Sequence, residues 1–241
     1  MLSGDSGQFY RRRLPHWQPD AATVFVTYRL ANSLPEGVLA ALREEQARLV
    51  KQPPRRGETE EQRTLRLSRQ SFALVDKALA TATDGVAWLA EPRVASLVQR
   101  NLWHWDGKRY RLHRYVIMPN HVHILIEPLP IVAQAVSLQD PTPLAALEGK
   151  QADSLRYVPL RKILQSLKGY TARHANKLLR RTGPFWQRES YDHWVRDQRE
   201  YARIVNYIDS NPVNAGLCKL PEQWPWSSTA GNDPSASLQP S

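Results

Sequence analysis

Apolar and polar positions alternate most clearly in TVFVTYRLA, Thr23 to Ala31, where β-branched and aromatic residues recur at period two and predict a strand. SLPEG then opens a helix over about 35–50, with Ser33 placed to cap it and Pro35 suited to its first turn. KQPPRRGETEEQRT reads as a charged linker, followed by a second helical stretch from about Leu65 to Ala80. In EPRVASLVQRNLWHW, helical intervals separate Val94, Leu97, Val98 and Leu102. KRYRLHRYVIMP and HVHILIEP predict two adjacent strands that turn at Pro119-Asn120. The Pro-, Ala-, Gln- and Asp-containing stretch from 129 to 157 reads as an insertion loop.

The last third predicts helices. VPLRKILQSLKGYTARHANKLLRRTG puts Leu160, Ile163, Leu164 and Leu167 on one face, with Gly169 as an interruption and Gly183-Pro184 as the stop. RDQREYARIVNYIDSNP carries Asp197 and Glu200 at capping-box spacing, buries Tyr201, Ile204, Val205 and Ile208, and is expected to end before Pro212. NPVNAGL reads as a turn, and PEQWPWSS lays two tryptophans on the surface it follows. There are no internal repeats. The pattern divides into a tail (1–20), one domain (21–228) and a second tail (229–241).

Composition adds a partner class. The chain has 241 residues, 41% hydrophobic and 23% charged, ordinary values for a folded domain with its own core. One cysteine, Cys218, excludes an intrachain disulfide framework. No stretch has the run of about 18 apolar residues that a membrane span requires, and the first twenty residues lack a signal-peptide core. A cytoplasmic protein is therefore expected. Net charge is +10 with pI near 9.9. Between Arg156 and Arg203, twelve basic residues face four acidic ones. That footprint suits a phosphate backbone, or equally a solvated helical face.

RYVIMPNHVHILIEP, Arg114 to Pro128, contains the candidate chemistry. On a strand, His121 and His123 project side by side from one face. Two imidazoles there form half of a metal site, or a buried hydrogen-bonded pair. Tyr170 and His174, four apart, share a helix face. His174 is the candidate third ligand with Tyr170 beside it, although Tyr170 also falls in register with Ile163 and Leu167 and would serve as core.

Five blocks in order, MPNHVHILIEP, SLKGYTARHANK, GPFWQRESYDHWVRD, YIDSNPVNAGL and WPWSS, resemble the REP-associated tyrosine transposases. These are a branch of the insertion sequence 200-like, single-tyrosine, His-hydrophobe-His enzymes, and the resemblance covers roughly residues 20 to 230. It implies an α+β fold: a ferredoxin-like or RNA-recognition-motif-like antiparallel sheet with helices, plus a helical C-terminal extension. It further implies metal binding by His121 and His123, with Tyr170 matched to the nucleophile and His174 (or nearby Asn176) to a further ligand. The implied cofactor is Mg²⁺ or Mn²⁺, of which nitrogen ligands favour Mn²⁺. The implied substrate is single-stranded or hairpin DNA, REP-like palindromes cut and rejoined through a 5′-phosphotyrosine by a monomer or homodimer.

A phenol with a pKa of about 10 is a poor nucleophile near neutrality. A divalent ion that polarises the scissile phosphate offsets this. Lys168, Arg173, Lys177, Arg180, Arg181 and Arg188 are the candidate DNA contacts, and Phe185 to Arg188 supplies either stacking groups or a packed anchor. Two rival readings accompany this one: a non-catalytic, repressor-like binding protein on the same fold, and a metal phosphoesterase that uses water.

Overall fold

The computed structural model describes residues 22–82, 84–131 and 156–231. Its frame is a four-stranded antiparallel sheet, α+β in class as the motifs imply. Strand β1 spans Val24–Arg29, β2 Tyr110–Ile117 and β3 His121–Pro128. A small ladder pairs β4 (Pro130–Ile131) with β5 (Arg156–Tyr157), and β6 (Tyr191–Trp194) completes the main sheet. Its strand order is β2-β3-β1-β6. β1 lies between β3 and β6, antiparallel to both, and β2 is antiparallel to β3. That order, with helices crossing from β1 to β2 and from β3 to β6, is the split β-α-β of a ferredoxin-like fold.

Period-two alternation gives the sheet two apolar faces. On one, Val24, Val26, Tyr28, Ile124 and Ile126 pack against helix α3 (Pro92–Trp105) and helix α4 (Leu160–Leu178). On the other, Phe25, Val116 and Leu125 meet helix α5 (Gln198–Asn214) through Ile208, with Phe72 of helix α2 (Glu60–Thr81) beside them. The second face is the one a minimal ferredoxin-like fold leaves open; here α5 and α2 cover it. Helix α1 (Glu36–Lys51) pairs with α2 as a hairpin inserted between β1 and α3.

Several local expectations need correction. Ser33 does not cap α1: its hydroxyl accepts from Arg29, and Pro35 holds the cap position. α2 begins a turn earlier than its apolar pattern, inside the charged stretch, because Thr59 and Gln62 form a capping box. Gly169 does not divide α4. α5 runs through Pro212 to Asn214 rather than stopping before the proline. β6 was hidden in the FWQRESYDHW block. The expected tail 1–20 and most of the expected loop 129–157 lie outside the described residues.

Two connections fix what covers the site. Trp226 O accepts from Ile117 N and Trp224 Nε1 donates to Ile117 O, so the WPWSS segment closes the free edge of β2. A half-buried ion pair joins α2 to α5. Arg69 contacts Glu200, and Glu200 also bonds His193 Nε2 of β6 at 2.9 Å. Asp197 caps α5 by accepting from Glu200 N. Burial lowers the His193 pKa despite Glu200.

Candidate metal centre and phenol site

His121 and His123 stand on the α2/α5 face of β3, 1% and 0% exposed. Their positions follow from the register: His123 pairs with Thr27 and His121 with Arg29. Their Nε2 atoms lie 3.0 Å apart. The Nδ1 atoms are engaged elsewhere. His121 Nδ1 is 2.6 Å from Asn120 Oδ1, and His123 Nδ1 is 2.7 Å from Thr27 Oγ1. When both Nδ1–H groups donate, both Nε2 lone pairs point at common space. Burial, then the neighbouring His123, pushes the His121 pKa down to about 3, so it stays a neutral imidazole, the form that metal binding requires.

A third group completes the set. Asp76 of α2 brings Oδ1 to 3.4 Å from His123 Nε2, and ligand atoms of Asp76, His121 and His123 all fall within 4.8 Å of one another. Oδ1 is buried without a hydrogen-bond partner, which is costly for a carboxylate unless a cation meets it. Two nitrogens about 2.1 Å from one ion at a right angle are about 3 Å apart, which is the spacing seen. The donors therefore fit a divalent ion. Asn120 ties this corner together, since its Nδ2 donates to Leu79 O at the end of α2.

The phenol beside this trio is Tyr207. Its ring centroid lies 5.3 Å from that of His123, and Asn211, one turn on along α5, places Nδ2 3.3 Å from His123 Nε2. Phe25 and Phe72 pack edge-on to the Tyr207 ring. Its buried hydroxyl faces the Asp76 carboxylate and the Asn211 amide. Burial raises the Tyr207 pKa strongly, and the facing Asp76 carboxylate adds to this.

The expected third ligand and nucleophile stand elsewhere. Tyr170 is 44% exposed. α4 lies across the opposite face of the sheet from the histidines, and Thr171, not Tyr170, continues its buried stripe after Leu167. His174 is not in the converging group: it turns back on Tyr170, with rings 4.1 Å apart and Nδ1 2.9 Å from Tyr170 O. Asn176 Nδ2 donates to Gly183 O.

Two candidate DNA contacts are occupied within the fold. Lys168 Nζ donates to the carbonyls of Gln187 and Arg188 and to Ser190 Oγ, and burial lowers its pKa to about 8. The Arg181 guanidinium stacks 3.6 Å over Trp88 and donates to Pro184 O. Arg173, Lys177, Arg180 and Arg188 are exposed. Phe185 and Trp186 are buried anchors, Trp186 donating to Thr171 Oγ1 at 2.9 Å.

A ferredoxin-like sheet bearing a His-hydrophobe-His pair, roofed by a helix that presents a tyrosine, is the class of protein this structure defines. No family model matches the chain. Over 103 residues it is 32% identical to an uncharacterised Haemophilus influenzae protein, covering 43% of this chain and 54% of that one. Over 112 residues it is 26% identical to a Haemophilus influenzae protein named "Putative REP-associated tyrosine transposase", covering 46% and 54%. The chain thus spans about half the length of the curated relatives it matches. A solved REP-associated tyrosine transposase bound to a REP hairpin is 17% identical, with a TM-score of 0.43, over 96% of this chain and 87% of that one. The resemblance carried by the five sequence blocks is thus met by a curated relative of the same description. Among the described residues, no helix is long and apolar enough to cross a membrane.

Proposed function

We propose that this protein is a metal-dependent DNA strand transferase that cleaves single-stranded or hairpin DNA through a covalent tyrosine intermediate. Tyr207, not Tyr170, is its nucleophile. The observation that carries this reading is the convergence of the Tyr207 phenol, the Asn211 amide, two buried imidazoles and the Asp76 carboxylate between the sheet and its covering helices. Nothing in packing requires five polar groups there.

Asp76, His121 and His123 would hold a divalent cation, which would supply charge to polarise a scissile phosphate. Tyr207 Oη forms the new bond to phosphorus while the bond from phosphorus to the 3′ oxygen breaks. The phenol proton leaves toward the Asp76 side and the released 3′ oxygen takes one up as a hydroxyl. The phosphodiester energy is kept in the 5′-phosphotyrosine, so a 3′ hydroxyl reverses the step without ATP. Thr27 and Asn120 hold the imidazoles in the ligating tautomer, and Asn211 fixes the approach of α5 to His123. Arg173, Lys177, Arg180 and Arg188 remain available for phosphates.

Both imidazoles are almost wholly buried, and closed metal sites are more often structural than catalytic. That favours one second reading: the trio pins α2 to the sheet and the protein binds DNA without cutting it. Labelled hairpin DNA with a single-stranded flank, incubated with Mn²⁺ and run on a denaturing gel, separates the two. A protein-linked label that disappears with chelator supports the transferase; bound but uncut DNA would replace it with the binding protein.

A further inference from the structure

The α1–α2 hairpin delivers more than Asp76. Along α2, Gln62, Arg66, Arg69, Phe72, Asp76 and Leu79 recur at three- and four-residue intervals and share one face. Asp76 brings this row to the candidate metal centre, and Phe72 stacks on Tyr191 beside it with centroids 4.1 Å apart. Arg69 is two turns from Asp76, about 10 Å at about 1.5 Å per residue, and Arg66 a further turn out. There the row enters an open cleft of about 550 Å³ lined by Arg55, Arg56, Gly57, Glu58, Gln62, Arg66, Arg69 and Gln70.

Four arginines in one cleft need a reason. Glu58 satisfies Arg66 through two contacts, at 2.6 and 2.8 Å, and the Arg66 hydrogen bond lowers its pKa to about 2. Arg69 is held by Glu200 yet remains 43% exposed. Arg55 and Arg56 are exposed. The cleft therefore carries net positive charge with two guanidinium groups already oriented, an arrangement that suits a phosphate oxygen pair.

We infer that this cleft holds a backbone phosphate of the single strand that runs from the metal centre along α2. The inference rests on the proposed reaction for the direction of the strand, but its ligand, a single-stranded phosphodiester, can be tested without cleavage. The span from Asp76 to Arg66 and Arg69 corresponds to about three to four nucleotides if bases stay stacked at about 3.4 Å, and to fewer in a stretched strand.

The test uses the full chain and the R55A/R56A variant, which leaves the Arg66–Glu58 and Arg69–Glu200 pairs in place. A fluorescent eight-residue oligothymidylate is titrated at several salt concentrations. The variant is expected to bind more weakly, its log–log salt slope shallower by about 0.7 for each phosphate it no longer neutralises. An unchanged slope and affinity overturn the inference, whether or not any adduct forms. A second arm places one neutral methylphosphonate at successive flank positions of hairpin DNA. One position within four nucleotides of the cut should weaken wild-type binding and be silent in R55A/R56A. Equal sensitivity in both proteins at every position also overturns it. Failure of the chelator-sensitive adduct, by contrast, removes the proposed reaction and leaves the oligothymidylate result to decide the cleft.

Discussion

Asn211 Nδ2 lies 3.3 Å from His123 Nε2, joining the last full turn of α5 to the central strand of the sheet. Because Tyr207 is one turn earlier on the same helix face, this contact also sets where the phenol stands. The phenol and the histidine strand are therefore aligned by a side chain next to both.

Tyr207→Phe is expected to abolish the covalent DNA adduct while hairpin affinity stays within about twofold, since the ring packing against Phe25, Phe72 and His123 is kept. Tyr170→Phe should leave the adduct intact. The reverse pattern on a denaturing gel would return the role to α4.

Metal affinity should depend on Asp76 and on Thr27. Calorimetric titration with Mn²⁺ should show Asp76→Ala, or the double replacement His121→Ala/His123→Ala, binding too weakly to measure. Thr27→Val, which removes the partner of His123 Nδ1, should weaken binding roughly 10–100-fold. Full affinity in Asp76→Ala would exclude α2 from the site.

The metal-free protein should lose stability on acidification. His121 is held neutral in the fold, down to about 3, against an ordinary 6.5. The unfolded chain thus binds the extra proton between those values, so the contribution is full above pH 6.5 and drains as pH falls toward 3. The loss is up to about 1.4 kcal/mol per pH unit for this one group. Thermal melts in chelator between pH 7 and 5 should show it, and His121→Gln should flatten the curve.

The basic residues of the C-terminal third should separate into two kinds. Replacing exposed Arg173 and Lys177 by Ala should lower the salt slope of hairpin binding by about 0.7–0.9 for each phosphate released. Lys168→Met should instead cost about 1–3 kcal/mol of stability, because acceptors at Gln187 and Arg188 lose their donor. A slope change in Lys168→Met without a change in melting temperature would reverse that assignment.

The sheet was legible because alternation at Val24–Arg29 and His121–Pro128 is strong, and the histidines break it at two same-face positions. Tyr170 was matched to the nucleophile through the SLKGYTARHANK block, while its register with Leu167 supplied the competing reading of it as core; the structure leaves it exposed. Either Tyr170 or Thr171 continues that ladder by spacing, and the small threonine takes the buried place by bonding Leu167 O. Tyr207 and Asn211 were present in YIDSNPVNAGL. Their signal was a tyrosine and an amide four apart in a helix already supplied with Tyr201, Ile204 and Ile208 as core. Reading that block as a helix end and turn concealed it. Asp76 had no comparable signal: SFALVDKALA is an ordinary amphipathic stretch, and only the fold of the inserted hairpin brings its carboxylate to β3.

The Arg69–Glu200 pair has a mechanical meaning. β3, hydrogen-bonded on both sides, is a fixed jaw carrying both histidines. Asp76 and the phenol ride on α2 and α5, which that ion pair ties to each other and, through His193, to the sheet's edge. Through that pair a displacement of one helix bears on the other, and so on both Asp76 and Tyr207. In the proposed reaction the carboxylate and the phenol would thus leave the histidines, and return to them, as one unit.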